Sequence, residues 1–162
     1  MALFMAQVIF MGIVATLVID IWAVILSTIF KLPTTNWSMV GRGCAHLRTG
    51  QFIHRPISQS KPVKYEQTIG WLFHYIIGIG YAYLYVMLMV FIIIKDPSLT
   101  SAIIYGLVTL TAPWLVLQPA LGLGLFARLA EKPNTIRALN LSVHLIFGVA
   151  LYFAWTLSLA LV

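Results

Sequence analysis

The sequence predicts an all-α membrane protein, a four-transmembrane-helix up-down bundle filling a single domain over residues 1–162. Three observations predict it. Hydrophobic residues make up 61% of the chain and charged residues 9%; a water-soluble domain carries about 25% charged residues, so a soluble surface could not be covered. Mean hydropathy is +0.97. Four apolar stretches, about 3–30, 69–94, 101–127 and 138–162, each reach the roughly 20 residues that a helix needs to cross a bilayer core.

The first stretch, Leu3 to Phe30, reads as a retained helix rather than a cleaved leader. It has no basic n-region, its apolar part is too long, and no small-x-small site ends it. It carries the one acid inside any of the four stretches, Asp20, with Trp22 beside it.

Lys31 to Gln67 is the extended polar segment, with Pro33, Pro56, Pro62, Gly41, Gly43, Gly50, His46 and His54. Within it Asn36 to Arg42 predicts a short interfacial helix with Asn36 as N-cap. Trp37 and Phe52 would anchor it among head groups, where aromatic rings prefer to sit. A structureless connection of this length is unusual unless functional, so it is expected to fold back over the helix ends.

The second stretch places Gly70, His74, Gly78 and Ala82 at spacings of four, one face of a helix. A tight turn, Lys95-Asp96-Pro97-Ser98, follows, with Ser98 capping the third stretch. The third contains Pro113, Trp114 and the run Gln118-Pro119-Ala120-Leu121-Gly122-Leu123-Gly124. Its prolines remove backbone donors and free carbonyls near the midplane, as in broken helices that line cavities; a simple kink is the plain alternative. Glu131-Lys132-Pro133-Asn134 is the next turn, with Asn134 or Thr135 opening the fourth stretch. There Asn140, His144, Gly148 and Tyr152 form a second stripe. Short connections make sequential helices antiparallel neighbours.

Helices 2 and 4 share His-x-x-x-Gly (His74/Gly78, His144/Gly148), and helices 1 and 3 share Gly12-Ile-Val and Gly106-Leu-Val. The pattern suggests one helical hairpin used twice, the copies related by an axis along the membrane normal, although short motifs recur by chance in apolar sequence.

Of the ten Lys and Arg residues, Lys31, Arg42, Arg48, Arg55, Lys61 and Lys64 fall between helices 1 and 2. Arg128, Lys132 and Arg137 fall between helices 3 and 4 and only Lys95 in the remaining turn. Basic residues near membrane ends stay cytoplasmic. Loops 1–2 and 3–4 are therefore expected in the cytoplasm of a bacterial inner membrane, with both termini on the other side. The net charge of +6 is read as topology signal and anionic-lipid contact rather than nucleic-acid binding. Cys44 is the lone cysteine, so no internal disulfide forms, and a cytoplasmic thiol stays reduced.

A titratable group in hydrocarbon is costly and needs a partner or a task. His74 and His144 lie roughly 7–9 Å inside the cytoplasmic ends of their helices, and Asp20 and Gln118 roughly 15 Å in, at 1.5 Å per residue. If all four face one axis, they line a polar cavity open to the cytoplasm. Asp20 should be protonated or paired, with His74, His144, Gln118 or Arg42 as partner; the bland reading is a neutral side chain gluing two helices. Trp22 and Trp114 either wall the cavity or fill the core. The candidate ligand-binding set is Asp20, His74, Gln118, His144, Arg42, His54, Trp22 and Trp114. His46 and His54 are weak metal candidates with Asp20 or Glu66; their spacing matches no zinc motif, and bis-histidine haem between helices 2 and 4 is a minor alternative. No cofactor is firmly implied.

The ordered motifs Val40-Gly41-Arg42, His46, Gly50-Gln51-Phe52-Ile53-His54, Gly70-Trp71-Leu72-Phe73-His74-Tyr75, Gln118-Pro119-Ala120-Leu121-Gly122, and His144 with Phe147-Gly148 and Tyr152 resemble a family of small bacterial four-span proteins catalogued as a domain of unknown function. The resemblance covers nearly the whole chain. It implies the four-span inner-membrane architecture and brings no activity, cofactor or catalytic residue.

Three functions remain open. The first is binding or translocation of a small ligand, ion or proton. The second is a membrane-embedded enzyme using histidine acid–base chemistry on a lipid head group or quinone-like substrate, with Arg42 or Arg48 holding a phosphate or carboxylate. The third is an accessory subunit of a larger membrane complex. Membrane lipids, and a homo-oligomer or larger complex, are the expected partners.

Overall fold

The computed structural model describes residues 2–160, which contain helices and connections and no strand. Four helical segments are long and apolar enough to cross a membrane: Ala2–Thr28, Glu66–Ile93, Leu99–Ala120 and Pro133–Ala160. The chain is a multi-pass membrane protein.

Helix α1 is Ala2–Thr28. It stops where Ser27 and Thr28 hydroxyls both turn back to the Val24 carbonyl and Lys31 takes a left-handed φ of 54°. Helix α2, Trp37–His46, is the expected interfacial helix, four residues longer than Asn36 to Arg42 suggested. Asn36 is extended, and its side-chain oxygen accepts the Met39 N–H at 3.2 Å, satisfying one of the amides a helix start leaves open. Helix α3, Glu66–Val86, continues as a π-helical stretch over Met87–Ile93. It begins three residues ahead of the expected 69, because the Glu66 carboxylate accepts the Val63 N–H at 3.0 Å and closes the first turn. Helix α4, Leu99–Thr109, opens with the Ser98 hydroxyl accepting the Ser101 N–H.

The third span departs most from expectation. After α4 it winds as a π-helix over Pro113–Leu117 and ends with the turn Gln118–Ala120, not at residue 127. Gly122 (φ 88°), Gly124 (φ 70°), Phe126 (φ 54°) and Ala127 (φ 55°) all adopt left-handed backbone, which no α-helix can propagate. The connection to the last span therefore covers 121–132 instead of four residues. Helix α5, Pro133–Ala160, starts five residues ahead of the apolar stretch expected from 138 and one ahead of Asn134, the nearer of the two expected openings, with Pro133 at the first position, where its missing N–H costs nothing.

The described chain forms two compact units. One contains residues 2–33, 75–109 and 142–160; the other contains 34–74 and 110–141. The core of the first is built from all four spans: Val8, Met11 and Ala15 of α1, Ala82, Tyr85 and Val86 of α3, Ala102 of α4, and Phe147, Leu151 and Ala154 of α5. Two glycine crossings set its helix spacing. A Cβ at Gly12 would overlap Ile79 of α3, and one at Gly78 would overlap the Thr16 hydroxyl of α1. A Cβ at Gly106 would overlap the His144 carbonyl and lie 3.0 Å from Gly148, and one at Gly148 would lie 2.5 Å from the Ala102 carbonyl. Close approach through small residues is how membrane helices gain packing, since burial from lipid offers no hydrophobic gain. The glycines matched in the sequence are thus the ones that meet, α1 on α3 and α4 on α5.

The second unit gathers α2, the first turns of α3, the end of the third span and the 121–141 segment. Its tightest point is α2 against α3: a Cβ at Gly41 would overlap the Glu66 carbonyl, and one at Gly70 the Trp37 carbonyl.

Candidate functional site

Within the second unit, α2 carries Arg42 and His46 four residues apart, hence on one face. Arg42 is 6% exposed. Its Nε and Nη2 donate to the two Glu66 oxygens, both at 2.8 Å, and its Nη1 donates to the carbonyls of Ile57 (3.3 Å) and Ser60 (3.1 Å). This planar fork joins α2, the loop and α3, a geometry that guanidinium offers and ammonium does not. Glu66 holds the guanidinium above its ordinary pKa. Arg42 is thereby engaged by Glu66 and two loop carbonyls, so it does not stand free to hold a phosphate or carboxylate.

The end of the third span leaves the Ala120 and Leu121 carbonyls without helical donors. The loop supplies them: His54 N–H donates to Ala120 at 2.9 Å and Ile57 N–H to Leu121 at 3.1 Å. Gly122 lets the two segments touch, since a Cβ there would lie 2.6 Å from the His54 carbonyl. These freed carbonyls are held by the chain itself.

His54, 2% exposed, also directs Nδ1 at the Ala120 carbonyl (2.9 Å), while its Nε2 lies 3.0 Å from Nδ1 of half-buried His46. A carbonyl only accepts, which assigns the His54 proton to Nδ1. Nε2 of His54 is then an acceptor, and His46 donates to it from Nδ1. The chain of bonds ends at Nε2 of His46, which then carries the free lone pair. The two rings bond each other, so their facing nitrogens are not arranged to chelate one ion. Among the described residues, no group of three or more His, Cys, Asp or Glu side chains could hold a metal.

Gln118 and Trp114 sit on the broken part of the third span. Gln118 is 4% exposed, and its side-chain oxygen has no hydrogen-bond partner among the described residues; nor has the buried indole N–H of Trp114. The Trp114 ring packs against Phe126 with centroids 5.5 Å apart. His74 stacks on Trp37 at 4.0 Å, with Trp71 edge-on at 5.7 Å.

The remaining candidates lie in the first unit. Asp20 accepts from the Tyr75 hydroxyl at 2.8 Å. The Trp22 indole donates to Ser142 at 3.1 Å. The Thr109 hydroxyl donates to the Gly106 carbonyl, so its oxygen accepts from Nδ1 of His144 at 2.7 Å. Sequence reasoning missed Tyr75, Thr109, Ser142 and, as a partner of Arg42, Glu66. Only Tyr75 gave a signal, as a second polar group beside His74.

Within the first unit Asp20, Trp22 and His144 have the bonds just named; within the second, Arg42, His54, His74, Trp114 and Gln118 have the settings described. The chain matches, over residues 9–158, the family described as "Protein of unknown function (DUF2938)". No curated protein and no solved structure matches it.

Proposed function

As a member of this family of proteins of unknown function, the chain, we propose, is a bacterial inner-membrane protein that binds a small hydroxyl- or amide-bearing molecule on the broken part of its third span. The observation that carries the reading is the buried, unpartnered Gln118 oxygen. A buried acceptor without a donor costs about 1–3 kcal/mol, and such groups are rare enough that each asks for an explanation. Trp114 adds a donor of the same kind four residues earlier. Hydroxyl and amide groups satisfy both, because they donate and accept. The distribution of Lys and Arg supports loops 1–2 and 3–4 in the cytoplasm.

The test is native mass spectrometry of protein extracted without added ligand, on wild type, Gln118→Leu and Trp114→Phe. A bound small molecule is expected on wild type and depleted on both variants, with Gln118→Leu more thermostable than wild type once ligand is stripped. Equal occupancy on all three removes these residues from any site. The His54–His46 relay favours a second reading, histidine acid–base chemistry at His46. Under it, whatever conversion the bound molecule undergoes stops in His46→Phe while binding persists.

A further inference from the structure

Residues 47–65 contain Arg48, Arg55, Lys61 and Lys64, all exposed, and no Asp or Glu. The acid that follows, Glu66, is engaged by Arg42. Between these cations stand exposed Leu47, Phe52, Ile53 and Tyr65, with Phe52 at 65% and Ile53 at 62%. None of the four lies in a membrane-crossing segment, so the acyl core does not account for their exposure.

The segment is held in place. Gln51 N–H bonds the His46 carbonyl, His54 and Ile57 bond the end of the third span, and Ser60 N–H bonds Ile57. With His54 and Ile57 buried, Phe52 and Ile53 are left pointing outward by the same anchoring. Lys64 lies over the Tyr65 ring, 4.8 Å from its centroid. The segment connects α2 to α3 and so ends where the second span begins.

We propose that residues 47–65 form a docking surface for anionic phospholipid: Arg48, Arg55, Lys61 and Lys64 hold the phosphate groups while Leu47, Phe52, Ile53 and Tyr65 sit among the head groups. Charge complementarity selects this occupant. Four cations in a segment with no acid of its own match an anionic surface, each worth roughly a fivefold gain in affinity. Apolar and aromatic side chains interleaved with them suit the interface, where rings keep one edge wet.

The experiment compares backbone hydrogen exchange over residues 47–65 in nanodiscs of phosphatidylcholine alone and of phosphatidylcholine with phosphatidylglycerol. Phosphatidylglycerol is expected to slow exchange across the segment several-fold, an effect that 0.5 M salt weakens. Arg48→Gln, Arg55→Gln, Lys61→Gln and Lys64→Gln together abolish it, and Arg48→Gln or Lys61→Gln alone reduces it, with exchange in α1 and α5 unchanged as a check on folding. Equal exchange in the two discs overturns the proposal. So does equal protection by inorganic phosphate in phosphatidylcholine discs, which would indicate a free-anion site instead.

Discussion

Replacing Arg42 by Met removes two 2.8 Å bonds to Glu66 and two bonds to loop carbonyls from a side chain only 6% exposed. Glu66 keeps the Val63 N–H but loses its charge partner. Breaking a buried ion pair from one side costs about 3–5 kcal/mol, because the surviving charge is left uncompensated. For a chain of this length that corresponds to roughly 6–20 °C in melting temperature. Arg42→Lys should fall between, since an ammonium cannot grip two carboxylate oxygens and two carbonyls at once. Arg42→Met combined with Glu66→Leu should recover much of the loss, because no lone charge remains. The assay is thermal unfolding in detergent followed by circular dichroism. A melting point for Arg42→Met within 2 °C of wild type, on the order of 1 kcal/mol or less, would refute the reasoning and return Arg42 to the list of ligand-binding groups.

Gly106→Ala places a Cβ against the His144 carbonyl and 3.0 Å from Gly148; the same melting assay should show a loss of about 1–3 kcal/mol or more, as overpacking does. Gly80→Ala, whose Cβ meets nothing within 4 Å, should instead gain about 0.5–1 kcal/mol from reduced backbone freedom, and equal effects from the two would dismiss the crossing as the cause. Burial pushes the Cys44 thiol above its ordinary pKa. The folded state thus favours the neutral thiol: its contribution to stability is complete below the unfolded value of about 8.5 and is lost as pH rises from there through the raised folded value. Maleimide labelling of the folded protein at pH 8 should accordingly be slower than in denaturant, and equal rates would show an accessible thiolate.

The four spans were legible because apolar length is a property of composition, and Asn36 and Ser98 were legible because capping is local chemistry. The end of the third span was not. Leu121 to Ala127 reads as apolar as the turns before it, and hydropathy does not register that Gly122 and Gly124 have turned left-handed. The pairing of glycines was visible as repeated spacing, and the structure supplied which glycine meets which. Among the candidate groups, residue type and depth picked out Asp20, His144, His54 and Gln118. Their partners lie 55, 35 and 66 positions away for the first three, distances at which spacing rules say nothing. Glu66, 24 residues from Arg42, was considered only as a metal ligand for the same reason.

The backbone bonds from His54 and Ile57 to Ala120 and Leu121 impose an order on biosynthesis. The ribosome makes the loop 66 residues before the carbonyl that anchors it, at about 5–20 residues per second. For several seconds the segment around His54 has neither acceptor nor neighbour, and a chain arrested before residue 120 never acquires them. Truncated products should thus be cut first between α2 and α3, while the finished protein resists there.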